Sequence, residues 1–110
     1  MNVFFVLCCT ADDLGYGDVS SYNPYPLGNI STPHIDNLGR NGMIFLDAHT
    51  TSSVCTPSRY SILTGRYNWR SRLKSGVLGG YDTPLINPER STLASVLKRV
   101  GYTTACIGKW

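Results

Sequence analysis

Apolar residues in this chain gather into short runs separated by long polar stretches rich in glycine and proline. The first run, Val3 to Cys9, is continuous and full of β-formers, which predicts a central strand covered on both faces. Asp12 to Asp18 then reads as a loop at the strand's C-terminal end, the edge where ligands bind in open α/β sheets. Ser20 to Ile30 holds two prolines, two asparagines and a glycine, so it is expected to be a loop. Thr32-Pro33 has the form of an N-cap followed by proline at the first helical position. Ile35 and Leu38 supply a short apolar face, and Gly42 a stop. Met43 to Ala48 predicts a second strand. A second helix is expected from Cys55 to Thr64, with Pro57 in its first turn, Ile62 and Leu63 packed inward and Gly65 at its end. Asn68 to Pro88 lacks a sustained period and predicts a long loop, with a short hairpin near Gly79-Gly80. Ser91 is placed to cap a third helix bearing Leu93, Ala94, Val96, Leu97 and Val100 near one face, ended by Gly101. Tyr102 to Ile107 predicts a last strand. The order strand, helix, strand, helix, helix, strand favours an α/β layered sheet.

Composition sets outer bounds on this picture. The 110 residues match one small domain, and with 42% hydrophobic and 15% charged residues the chain is neither disordered nor fibrous in type. Its net charge is +3. Arg66, Arg70, Arg72 and Lys74 form the one basic grouping, and they read as a solvated loop, with attraction of an anionic substrate as the alternative. No nucleic-acid-binding fingerprint is present. No segment is long enough to span a membrane, and Val3 to Cys9 lacks the basic leader of a signal peptide. Cys8, Cys9, Cys55 and Cys106 form no C-x-x-C pair, and no histidine stands at zinc-ligand spacing from them. Cys8 and Cys9 are expected to be small buried apolar residues, so cysteine usage does not fix a redox compartment.

Three places carry candidate chemistry. Asp12 and Asp13 are adjacent carboxylates that repel unless a cation lies between them, and hard divalent cations take such oxygen ligands. The plainer alternative is a polar turn. Cys55 precedes Pro57 at a helix entrance, where unpaired N–H groups and the helix dipole favour an anion. Arg59 follows one turn later on the same side and is placed to steady an acid group. A buried structural cysteine beside a surface arginine is the alternative. Lys109, after Gly108 at the end of the last expected strand, can reach into a site on an α/β fold or stand in solvent. His49 is a weaker candidate for the same cleft, and His34 weaker still.

Taken together, these segments resemble the N-terminal part of a type I, formylglycine-dependent sulfatase of the arylsulfatase group, within the alkaline-phosphatase-like superfamily. The resemblance runs from about Leu7 to Trp110. Ala11-Asp12-Asp13-Leu14-Gly15-Tyr16-Gly17-Asp18 is similar to the metal-binding opening, and Thr32-Pro33-His34-Ile35-Asp36-Asn37-Leu38 to the helix that follows. Cys55-Thr56-Pro57-Ser58-Arg59 with Leu63-Thr64-Gly65-Arg66-Tyr67 is similar to the sulfatase signature. Thr92-Leu93-Ala94 through Gly101-Tyr102-Thr103-Thr104-Ala105 and Gly108-Lys109-Trp110 is similar to the second signature. Two departures stand out. Cys8-Cys9-Thr10 replaces the usual bulky aliphatics, and the chain stops before the histidine that usually follows Gly-Lys-Trp.

The resemblance implies an alkaline-phosphatase-like layered fold, with a mostly parallel central sheet flanked by helices, and incomplete here. Residues 1–110 would be the N-terminal part of a sulfatase catalytic domain, with later metal ligands, a further lysine and histidine, and the C-terminal subdomain absent. It implies hydrolysis of aryl or carbohydrate sulfate esters by the full-length protein, with the 110-residue piece inactive alone. Asp12, Asp13 and Cys55 would be ligands of a divalent cation, calcium first and magnesium second. A formylglycine-generating enzyme would oxidise Cys55 to formylglycine, whose hydrated form attacks sulfur with one hydroxyl and releases sulfate with the help of the other. Arg59 would hold the formylglycine, and Lys109 the sulfate group. Export to a periplasmic, secreted or lysosomal compartment is implied, with neither nucleic acid nor membrane as partner. The rivals are a formylglycine-dependent phosphonate or phosphate ester hydrolase and a non-catalytic remnant.

Overall fold

The computed structural model describes residues 4–23 and 30–109. They divide into two compact units, Met1–Ala48 and His49–Trp110. Three α-helices run over Pro33–Arg40 (α1), Cys55–Thr64 (α2) and Leu93–Arg99 (α3), with 3-10 turns at Tyr16–Asp18 and Asn68–Arg70.

In the first unit, Asp12 and Asp13 occupy the centre of a turn closed by the Leu14 N–H on the Ala11 carbonyl at 3.2 Å. The loop before α1 is fastened to the helix by side chains. The Ser20 hydroxyl donates to Asp36 Oδ2 at 2.6 Å, and the Ser21 N–H and the Thr32 hydroxyl donate to Asp36 Oδ1, each at 3.0 Å. Thr32 is the N-cap of α1, but its hydroxyl serves Asp36 and the Ser20 N–H rather than the helix backbone. Pro33 at the first position brings no N–H of its own to satisfy. Ile44 lies back over the helix, its side chain so close to Gly39 that a Cβ there would meet it at 2.9 Å.

The same hydrogen bonds hold the Asp36 carboxyl below its ordinary value of 3.8, the Ser20 hydroxyl contributing most, partial burial opposing it, and Thr32 and Ser21 adding to the lowering. A lowered acid favours the folded state above its ordinary value and loses that advantage as the pH falls through the folded one. The backbone protection at Ser21 that Asp36→Asn removes is therefore expected to be greatest near neutrality and to vanish well below pH 3.8. Amide hydrogen exchange at Ser21 measures it, and an equal loss at both pH values would contradict the clasp.

In the second unit, α2 runs over the expected residues and ends at Gly65, whose φ of +65° is the left-handed conformation suited to glycine. The side chains that it buries differ from expectation. Pro57 and Tyr60 are buried, whereas Ile62 and Leu63 are half-buried, and α2 packs against both α3 and the 3-10 turn at Asn68–Arg70. Leu73 and Asn68 complete this small core, with Asn68 Nδ2 donating to the Leu73 carbonyl at 3.0 Å. Helix α3 is capped by Thr92 rather than Ser91. The Thr92 hydroxyl accepts from the Ser95 N–H at 3.2 Å and the Ser95 hydroxyl from the Thr92 N–H at 2.8 Å, a reciprocal box that Ser91 cannot form.

No β-ladder forms among the described residues. Phe4 to Cys9, Met43 to Ala48 and Tyr102 to Ile107 are all without regular pairing, and Val3 lies outside the described residues. Phe5 is 89% exposed, Leu7 84% and Ile107 90%, the reverse of a covered central strand. Cys8 and Cys9 are likewise exposed rather than buried. A strand takes its hydrogen bonds and its cover from neighbours, and no such ladder is present among the described residues. The expected hairpin near Gly79-Gly80 is a single turn, in which the Asp82 N–H donates to the Gly79 carbonyl at 3.2 Å.

Candidate active site

Cys55 is the first residue of α2, and Arg59 stands one turn further along. Val54, in extended conformation with φ −129° and ψ 161°, sets the entry to the helix, and the Ser58 N–H makes the first backbone bond to its carbonyl. The hydroxyls of Ser58, Ser61 and Thr64 each donate to the carbonyl four residues back, at 2.8, 3.0 and 2.7 Å, so these polar side chains fold against the helix.

Cys55, Thr56, Arg59 and Lys109 line a cleft of about 520 Å³. Arg59 donates through Nη1 to the Lys109 carbonyl, joining α2 to the segment after α3. The loop after Gly76 adds Leu78, Leu85 and Ile86 to the lining, and α2 adds Leu63. That loop is held in place by the Leu78 N–H on Thr56 Oγ1 at 3.2 Å, by the Gly79 N–H on Asp82 Oδ2 at 2.6 Å, and by Arg72 donating to the Thr83 carbonyl.

The expected catalytic residues Cys55, Arg59 and Lys109 thus share one cleft within the second unit. Cys55 is a half-buried free thiol, open to covalent modification from the cleft. His49 is not among the lining residues, and His34 lies exposed in the first turn of α1. Sequence reasoning overlooked Thr56, Leu78 and Asp82. Asp82, three residues after Gly79, carries the one local signal among them, since such acids bond backbone N–H groups in turns.

Asp12 and Asp13 belong to the first unit and are exposed. Their carboxylate oxygens suit a hard divalent cation in kind. No cluster of three or more acidic, histidine or cysteine side chains able to hold a metal forms among the described residues.

A cysteine and an arginine one turn apart at a helix entrance share this cleft with a lysine. Comparison with known proteins gives the chain a family. The Sulfatase family model matches residues 2–110, and the chain belongs to that family. It is 41% identical over 109 residues to an N-acetylgalactosamine-6-O-sulfatase of Bacteroides thetaiotaomicron, a match covering 99% of this chain and 20% of the relative. It is 43% identical over 105 residues to arylsulfatase A of Bos taurus, covering 96% of this chain and 20% of that protein. Steryl-sulfatase of Mus musculus is 41% identical over 109 residues, covering 94% and 17%. The chain therefore spans about a fifth of the length of the curated relatives it matches. No solved structure matches it significantly. The family consists of sulfuric ester hydrolases that are generally formylglycine-dependent and metal-binding, with an alkaline-phosphatase-like α/β fold. No helix among the described residues is long and apolar enough to cross a membrane.

Proposed function

We propose that this chain is the N-terminal part of a sulfatase catalytic domain and that the full-length protein hydrolyses sulfate esters at the cleft beside Cys55. The observation that carries this reading is the meeting of Cys55, Arg59 and Lys109 at one cleft. Cys55 would be converted to formylglycine by a formylglycine-generating enzyme. The hydrated aldehyde supplies one oxygen to attack sulfur and a second to release sulfate, an exit that a thiol lacks. Arg59 orients the modified side chain with its planar fork of donors while its bond to the Lys109 carbonyl fixes the guanidinium. The Lys109 side chain holds the sulfate group and offsets charge on its oxygens. Asp12, Asp13 and Cys55 would contribute to a divalent cation site, calcium by preference, which supplies further charge stabilisation.

In the same reading, Phe4 to Cys9, Met43 to Ala48 and Tyr102 to Ile107 are strands of a mostly parallel central sheet completed by the rest of the protein. Their exposed apolar side chains are what such strands would bury. The substrate is a sulfated small molecule or carbohydrate, and the protein acts in an exported compartment.

Two measurements test the proposal. After co-expression with a formylglycine-generating enzyme, the peptide containing Cys55 is expected to be lighter by the difference between a thiomethyl and an aldehyde side chain. The full-length protein is expected to turn over sulfate esters faster than phosphonate esters. An unmodified Cys55 under those conditions would favour a non-catalytic remnant, and faster phosphonate turnover the rival hydrolase.

A further inference from the structure

Charge is divided unevenly along this chain. Residues 49–110 hold nine of its ten lysines and arginines and two of its seven acidic residues, a net charge of +7, whereas residues 1–48 carry −4. No acidic residue stands between Asp47 and Asp82, a stretch that includes Arg66, Arg70, Arg72 and Lys74. Such an excess of cations attracts polyanions. Two aromatic rings stand at the surface of the same stretch. Tyr67 and Trp69 stack with ring centroids 4.1 Å apart and planes 12° from parallel, yet they remain 50% and 46% exposed. Stacking covers one face of each ring, and the exposure that is left keeps the pair open to a ligand. Lys74 is exposed beside them, its Nζ donating to the Trp69 carbonyl at 2.5 Å, and Arg70 is exposed at the end of the same 3-10 turn. The turn is firmly held. Asn68 and Leu73 are buried, and the Ser71 N–H and hydroxyl both donate to the Asn68 carbonyl, at 2.8 and 2.5 Å. Aromatic side chains on a fixed backbone give up little freedom on binding. Tyr67, Trp69, Arg70 and Lys74 all lie outside the lining of the Cys55 cleft.

Flat rings beside cations suit a pyranose that bears an acid group, its C–H face on the aromatic pair and its charge on Arg70 or Lys74. A neutral sugar would leave the cations unused. Single-stranded nucleic acid asks for successive separate aromatic platforms, whereas Tyr67 and Trp69 form one closed pair. A membrane asks for aliphatic side chains that protrude with the aromatics, whereas Leu73, between Arg72 and Lys74, is buried. We infer that Tyr67, Trp69, Arg70 and Lys74 form a binding surface for acidic polysaccharide chains, separate from the Cys55 cleft. The surface holds the protein to a polymer and takes no part in bond cleavage.

The test titrates the full-length protein with polygalacturonate, whose carboxylates bring charge without any sulfate ester, and with dextran as an uncharged chain. Polygalacturonate is expected to bind about tenfold or more tightly than dextran, with an affinity that falls as salt rises. Trp69→Ala is expected to weaken it about tenfold, and Trp69→Phe, which keeps a flat ring, about twofold. Arg70→Gln combined with Lys74→Gln is expected to cost about tenfold and to flatten the salt dependence. Both of those side chains are exposed, so this pair decides the matter if Trp69→Ala melts early. Cys55→Ser, at the cleft, should leave the affinity within about twofold. No binding, equal affinity for dextran, unchanged affinity in the Arg70 and Lys74 double variant, or tighter binding of oligothymidylate or of phosphatidylserine vesicles would overturn the inference. Binding without sulfate ester turnover sinks the hydrolase alone, and turnover without binding sinks this surface alone.

Discussion

Replacing Cys55 with serine in the full-length protein is expected to lower sulfate ester turnover by roughly 10⁴-fold or more, the scale of losing a covalent nucleophile. Serine keeps the small side chain at the first position of α2, so the helix entrance and the cleft should persist. It also supplies an oxygen for attack. What it lacks is a second oxygen on the same carbon to expel sulfate, and it cannot become an aldehyde by the route open to cysteine. Steady-state kinetics with 4-nitrophenyl sulfate measure the loss, and intact-protein mass spectrometry reads any sulfate retained on the serine. Turnover within tenfold of the parent protein would remove Cys55 from the chemistry.

Arg59→Ala should lower kcat by about 10²- to 10³-fold, the size of losing one donor aimed at developing charge. Two consequences of the substitution act together. The guanidinium disappears from the cleft, and so does its bond to the Lys109 carbonyl. Arg59→Lys retains a positive charge but not the planar fork, so it should recover only part of the rate. The kinetic pattern is the discriminating readout. If Arg59 acts where charge develops, kcat falls and KM changes little. A rise in KM at constant kcat would assign it to ground-state binding instead.

The three helices were legible in the sequence because their signals are local. Thr32-Pro33 begins α1, Cys55 to Gly65 bounds α2, and Thr92 to Gly101 frames α3. The one-residue error at the α3 cap came from a box closed by Ser95, where glutamate or glutamine is the usual partner. The buried face of α2 was misjudged because its neighbours include the 3-10 turn at Asn68–Arg70 as well as α3, and no period announces that turn. The strands illustrate a different obstacle. Val6, Phe45 and Ile107 reveal what their segments would bury, but pairing depends on distant chain, and local pattern does not name the neighbour. Within the site, the spacing of Cys55 and Arg59 placed both on one side of a helix. Lys109 was singled out largely through the family resemblance, and the apolar lining at Leu78 and Leu85 was not seen, since its loop has no periodicity.

Arg59 reaches Lys109 through a main-chain oxygen, not through the lysine side chain. Charge and tether are therefore separable at this point of the cleft. Lys109→Ala removes an ammonium group yet leaves the carbonyl that anchors α2 to the segment beyond α3, whereas Arg59→Ala removes a cation and the anchor at once. Thermal melting of the two variants side by side isolates the anchor's mechanical share, which no comparison of rates alone could extract.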